Sequence, residues 1–187
     1  MDGALKLNLG CGANLIPGYI NVDKYGNPEV LHDLETFPWP WEDSSVKEIR
    51  MNHVLEHIGE TTSLYFRIIK EIYRTCSAGA EIYVTVPHPR HSDFMDDPSH
   101  VRIVTPQGFD LFSKAKNREW KRCGYANSTL GLYLDVDFEI VSVNYVLDPF
   151  WMDKLKRKEI TEREVDEAFR NYNNVVKEIK MVLKVVK

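Results

Sequence analysis

The stretch MNHVLEHIGE, residues 51–60, sets His53, Glu56 and His57 in the order H-x-x-E-H. On a helix, His53 and His57 would lie one turn apart on one face, close enough to share a zinc ion, with Glu56 available as a base. Such a site needs at least a third protein ligand, which an acid further along the chain could supply. Upstream, Gly10 and Gly12 flank Cys11 directly after an apolar run. Glycines there let backbone approach a bound group, and Cys11 offers mainly its own backbone. Asp23 closes a second apolar run, a place where a carboxylate can accept both hydroxyls of a ribose. Downstream, His88, His91, His100 and Arg102 crowd into residues 88–105. The imidazoles suit proton transfer near neutrality, and Arg102 suits a carboxylate or phosphate.

These residues need elements to position them. LKLNL, residues 5–9, is a short strand running into the glycine turn; YINVD is a second that ends at Asp23, and PEVLHDLE a third that ends near Asp33. Three strands that each finish at a polar or glycine position predict a parallel sheet with its ligand edge at the carboxyl ends. Only ten residues, Ala13 to Val22, separate the turn from Asp23, so a helix there has room for little more than one turn. Pro38 and Pro40 make FPWPWEDSS a rigid loop. VKEIRMN reads as a fourth strand, imperfect in alternation, that delivers Asn52 and His53 to the same edge. From Glu60 to Ser77, residues Leu64, Ile68, Ile69, Ile72, Tyr73 and Cys76 share one helical face, capped by Thr61 or Thr62 and ended by Gly79.

AEIYVTVP alternates as a fifth strand. Residues 88–105 have no periodicity, and a polar segment of this length after a core strand predicts a lid or substrate loop. A short helix around PQGFDLFSKA, a sixth strand in FEIVSVNYVLD, helix in ITEREVDEAFRNYNNVV and a closing strand in IKMVLKVV complete the chain. The helical insertion around 152–176 would form an interface or cover the site.

At 187 residues the chain is long enough for one domain with a full core, 1–187, and too short for a separate catalytic domain. Twenty-four bases against 28 acids give a net charge of −4, and no basic stripe with interleaved aromatics appears, which argues against a nucleic-acid partner. The three cysteines are widely spaced and form no C-x-x-C pair, so a reducing, cytoplasmic setting fits better than a disulfide framework. Neither an 18-residue apolar run nor a basic start followed by a long apolar stretch is present, so neither membrane partner nor export is expected.

In order, LNLGCGAN, NVD, HDL, NHVLEHI and RTCSAGAEIYVTVP resemble the class I S-adenosylmethionine-dependent methyltransferases, most nearly a small compact group that shares LNLGCG, PGYINVD, HDL and HVLEH. A lone G-x-G is a weak signal; five pieces in order across residues 5–87 are a specific one. The resemblance implies a Rossmann-like α/β fold, seven strands mostly parallel with an antiparallel last strand, and helices on both faces. It implies S-adenosyl-L-methionine as cofactor, with the methionine part over Gly10, Cys11 and Gly12, the ribose on Asp23, and the adenine beside Asp33 and Leu34. Asn8 stands where the family usually has an acid. Asn52 and His53 would border the sulfonium, with His57 starting or supporting the next helix.

Peptidases that carry H-x-x-E-H are much larger and lack the glycine turn, so no metal is expected. DPSHVRIVTP resembles the DPTH-x-R-x-x-TP element of the same group, which makes His53, His88, His100 and Arg102 the catalytic candidates. Arg102 and His100 would otherwise clamp the loop to Asp96 or Asp97, and Tyr125 and Tyr133 would sit in core or pocket. The implied reaction moves a methyl group to a small polar acceptor such as a sugar, in a monomer or homodimer. The alternative is a cofactor-binding partner subunit without turnover.

Overall fold

In the computed structural model, which describes residues 4–187, seven strands form one sheet. These are β1 (Leu5–Leu9), β2 (Ile20–Asp23), β3 (Val30–Leu31), β4 (Val46–Asn52), β5 (Cys76–Pro87), β6 (Phe138–Leu147) and β7 (Val176–Val185), in the order β3-β2-β1-β4-β5-β7-β6. Neighbours from β3 to β5 run parallel, and β7 runs antiparallel to both β5 and β6. This is the mostly parallel sheet with an antiparallel last strand that the resemblance implies. Strand order reverses at β1 and β4, and in such sheets a ligand crevice opens outside the carboxyl ends at that switch.

Pairing accounts for the imperfect alternation of VKEIRMN. The register shifts between Val46 and Glu48 against both neighbours, so Val46, Ile49 and Met51 all reach the core while Lys47 stays exposed. The third strand shrinks to two residues at the sheet edge, with Leu31 exposed. Asp33 therefore sits beyond the strand, in a turn.

The helix α1 (Thr62–Thr75) starts at Thr61, whose hydroxyl accepts the Leu64 N–H at 3.3 Å, and buries Tyr65, Ile68, Ile69 and Ile72. Each fully buried isoleucine contributes about 1.5–3 kcal/mol, so this face docks the helix. Gly79 does not end it. The chain leaves the helix in extended conformation at Cys76, which pairs with Val46, and Gly79 lies inside β5. Within 88–105 lies the single turn α2 (Ser92–Met95). PQGFDLFSKA divides into α3 (Pro106–Asp110) and the start of α4 (Lys114–Cys123), because the Ser113 hydroxyl caps a new helix by accepting the Lys116 N–H.

After α5 (Leu130–Leu134), the helical insertion is a pair, α6 (Pro149–Lys156) and α7 (Glu162–Asn171). Asp148 and a Thr161/Glu164 capping box start the two helices, and β7 begins at Val176 rather than Ile179.

Helices cover the two faces unevenly. Ile68, Ile69, Phe109 and Leu134 from α1, α3 and α5 join Leu7, Ile49, Ile82 and Met181 in one core. Among the described residues, no helix joins β1 to β2, β2 to β3 or β3 to β4, because Pro17, Gly18, Gly26, Pro38 and Pro40 divide those short connections. On that side a polar layer stands in place of helices. Lys6 pairs with Glu48 at 2.8 Å, the Tyr19 hydroxyl bonds Glu48, and Arg50 lies 4.7 Å from the centre of the Tyr83 ring. Among the described residues no helix is long and apolar enough to cross a membrane.

Candidate functional site

At the end of β1 the chain turns through Gly10, Cys11 and Gly12. Gly10 has φ 64°, and a Cβ there would come within 2.5 Å of Val54 Cγ2, so only glycine fits without displacement. Gly12 has φ 50° with nothing within 4 Å of an added Cβ, so its backbone borders open space. Asp23 reaches back from β2: Oδ2 accepts the Gly12 N–H at 2.8 Å, and Oδ1 accepts the Tyr25 N–H at 3.0 Å. A carboxylate has about four lone-pair sites, so Asp23 sets the glycine turn and keeps capacity for two hydroxyl donors. Cys11 is buried, its N–H donates to Val22 O at 3.0 Å, and burial, with the Asp23 charge second, pushes its thiol pKa up. It contributes backbone, not a thiolate.

A cleft of ≈ 170 Å³ opens at this edge. Gly10, Asp23, Asp33, Leu34 and His53 line it, so five of the expected residues converge from four separate segments. Cys11 and Gly12 flank it through the turn, and Gly12 opens on an adjoining depression with Asp23 and Tyr25. Asn8 stays behind the turn. It is buried, and its amide donates to Asn14 O at 2.8 Å and Asn21 Oδ1 at 2.7 Å, bracing the turn against β2. Asn52 is exposed at the end of β4 and does not line the cleft.

Five further residues complete the lining: Lys24, His32, Val54, His57 and Ile58. His32 stands directly before Asp33, packs edge-on against Trp41 at 6.1 Å between ring centroids, and holds its Nε2 buried with no partner. Its signal, an imidazole next to a candidate binding carboxylate, was present in HDL. Val54 and Ile58 give the cleft apolar surface, and reading VLEHI as a loop instead of a helix start points to them.

That segment is indeed not helical: α1 begins only at Thr62, and His53 takes a left-handed φ of 54°. The His53 N–H donates to Thr85 O at 2.9 Å, holding the residue at the sheet edge. Its Nδ1 lies 3.1 Å from Glu56 Oε1 and its Nε2 3.4 Å from Glu178 Oε1. The hydrogen bond to Glu56 is the largest cause of a raised His53 pKa, burial opposing it. Carboxylates at both nitrogens favour the protonated ring, whose N–H groups donate hydrogen bonds to them and which is poorly placed as a general base. His57 lines the cleft instead of heading the helix; its Nδ1 is 3.0 Å from Ser99 Oγ, and its ring centroid 4.6 Å from that of His100.

The other catalytic candidates stand apart from the cleft. His88 is buried against Phe169 and Tyr145, its Nδ1 accepts the Arg90 N–H at 3.2 Å, and burial first, then Arg90 and His91, lowers its pKa to about 4. His100 Nδ1 donates to Phe94 O at 2.8 Å while its ring stacks on Phe94. The Arg102 guanidinium donates to Gly59 O and lies 4.1 Å from the Tyr65 ring centre, so it clamps the loop to the start of α1, not to Asp96 or Asp97. It faces a separate groove of ≈ 250 Å³ between α1 and α3. Tyr125 and Tyr133 are 62% and 77% exposed, in neither core nor cleft. Residues 88–105 are strapped down where the Val101 and Arg102 N–H groups both donate to Glu56 O, at 2.8 and 3.3 Å.

The sequence matches no protein-family profile and no curated protein. Among solved structures the chain is similar to a SAM-dependent methyltransferase from Archaeoglobus fulgidus, with a TM-score of 0.61 and 16% identity over 98% of this chain and 87% of that one. The fold is that of the S-adenosylmethionine-dependent methyltransferases. A SAM-dependent methyltransferase from Methanosarcina mazei gives a TM-score of 0.53 at 13% identity over 100% and 94% of the two chains. An S-adenosylmethionine-dependent methyltransferase from Mesorhizobium loti gives 0.51 at 13% over 97% and 91%. Identities this low carry the methyltransferase fold alone, and the chemistry must rest on the residues of the cleft.

Proposed function

We propose that this chain is an S-adenosyl-L-methionine-dependent methyltransferase that modifies a small polar acceptor, such as a sugar or another metabolite. The observation that carries the reading is Asp23: one carboxylate fixes the glycine turn, borders the cleft at the strand-order switch, and retains lone pairs for two hydroxyls. The residues present fit the cofactor. Asp23 would hold the ribose, Gly10 to Gly12 would face the methionine part, and Asp33 with Leu34 would border the adenine. His32 Nε2, buried without a partner, offers one further polar contact.

The sulfonium of the cofactor supplies an activated methyl group and a neutral thioether leaving group. What remains for the protein is chiefly to hold donor and acceptor in line. Leu34, Val54 and Ile58 exclude water from one side of the cleft. His53, its two ring nitrogens held by Glu56 and Glu178, borders a polar acceptor in a fixed orientation. The imidazoles of His53 and His57 on this side of the cleft suit an acceptor rich in hydroxyls. A cytoplasmic setting is part of the same proposal.

Calorimetric titration with S-adenosylmethionine and S-adenosylhomocysteine tests it. Wild type should bind both, and Asp23→Ala should weaken binding roughly 100-fold, as expected for two lost charge-assisted hydrogen bonds. A folded wild type that binds neither would end the proposal. The second reading, a partner subunit without turnover, is favoured by the sheet face on which a polar layer replaces helices. Cofactor binding with no turnover across a broad panel of acceptors, and a stable complex with another enzyme, would decide for it.

A further inference from the structure

The histidine wall contains an arrangement that methyl transfer does not require. A carboxylate oxygen of Glu56 and ring nitrogens of His57 and His100 all lie within 4.8 Å of one another. Glu56 is fully buried; its Oε1 faces His53, and its Oε2 is buried with no partner at all. A buried carboxylate oxygen without a donor is costly, and a cation beside it removes the cost.

Proton positions on the two imidazoles are set by their neighbours. His100 Nδ1 faces the Phe94 carbonyl oxygen at 2.8 Å, which can only accept, so Nδ1 carries the proton and Nε2 of the neutral ring has a free lone pair. The Ser99 hydroxyl donates to Asp97 Oδ1 at 2.6 Å, so its oxygen accepts from His57 Nδ1 at 3.0 Å. His57 Nε2 is then also left with a lone pair. In both rings Nδ1 is anchored by an outer hydrogen bond. Nε2 of His57 has no partner, and Nε2 of His100 makes no hydrogen bond, with the Asp97 carboxylate 3.8 Å away as the clamp expected of this loop. An anchored ring with its second nitrogen unbonded is how metal-ligating histidines are held.

We propose that Glu56, His57 and His100 bind a divalent transition-metal ion of the zinc class. Two imidazoles and one carboxylate are a donor set that zinc accepts, with a coordination position left over. His57 is exposed and lines the cleft, so the open position lies on the cleft side and takes an oxygen of the molecule bound there. That last assignment rests on the methyltransferase reading; the metal site itself does not. Its ligands are also not those of a helical H-x-x-E-H site. His53 remains outside as the hydrogen-bond partner of Glu56, and the third ligand is His100, brought in by the loop strapped to the Glu56 carbonyl.

The test uses the full chain stripped with a chelator and titrated with cobalt(II), followed by visible absorption, and with zinc(II) by calorimetry. Wild type should take up one ion per chain with the absorption bands of imidazole and carboxylate coordination. His57→Ala and His100→Ala should each weaken uptake roughly 100-fold or more, while His88→Ala, outside the cluster, should leave it unchanged. His57 is exposed, so its variant keeps the fold even if His100→Ala does not. No uptake by folded wild type, or uptake undiminished in His57→Ala, would overturn the proposal. S-adenosylhomocysteine is titrated into the same metal-free sample, so failure of the metal site and failure of the cofactor reading give separate signals.

Discussion

The cleft has two walls of different construction. One, the glycine turn with Asp23 and Leu34, is made of backbone and of residues within a few positions of a strand end. The other, His53 to Ile58, is made of side chains and is backed by residues 88–105, and the contacts that hold it reach far along the sequence: His53 with Glu178, His57 with Ser99 and, outside the cleft, Arg102 with Gly59. The first wall is a rigid backbone cradle that tolerates little change in shape. The second is a polar network whose members hold one another in place and whose behaviour depends on protonation.

The sharpest contrast lies within the first wall. Gly10→Ala meets both a left-handed φ and the Val54 side chain at 2.5 Å, and should destabilise the protein by about 2–5 kcal/mol in urea unfolding. Next in size is Arg102→Ala, which removes the donation to Gly59 O and the stacking on Tyr65. It should cost about 2–3 kcal/mol of stability while leaving S-adenosylhomocysteine affinity unchanged. Equal losses of affinity in Arg102→Ala and Asp23→Ala would erase the distinction between a clamp and a binding wall.

The loop that backs the second wall should be the pH-sensitive part. His88 is held neutral by burial with a pKa of about 4, against 6.5 for the free side chain. As pH falls below about 6.5 the unfolded chain takes up a proton that the folded chain refuses, so stability declines until about pH 4, where the folded form protonates too. Urea midpoints measured across this window should fall in wild type and fall less in His88→Asn. Smallest of all, Gly12→Ala should cost only about 1 kcal/mol, the left-handed φ alone, because nothing lies within 4 Å of the added carbon. A loss at Gly12 as large as that at Gly10 would mean the turn itself, not its packing on Val54, demands glycine.

The difference between the walls also explains what the sequence made legible. β1, β2 and β4 follow from short apolar runs ending at polar positions, and Gly10, Asp23, Asp33 and Leu34 come together because the strand ends bring them there. Local spacing sufficed. Asn8 stays behind the turn because its amide is taken by Asn14 and Asn21, contacts that no periodicity encodes. Gly79 failed as a helix stop because Cys76 already pairs with Val46 across the sheet. His88 and Arg102 carried the right chemistry in the right loop, yet the fold turns one toward Phe169 and the other toward Tyr65. Asp148 followed by Pro149 is a readable helix start, and α6 could have been found from it.

The central claim is that the backbone wall is the cofactor's seat. Amide chemical-shift mapping with S-adenosylhomocysteine tests it most directly, because it reads each residue in place without mutation. The largest shifts are expected at Gly10, Cys11, Gly12, Asp23 and Leu34, with little change at Ile103 and Gly108 in the groove beside Arg102. Shifts concentrated in that groove, or none in a folded sample, would contradict it.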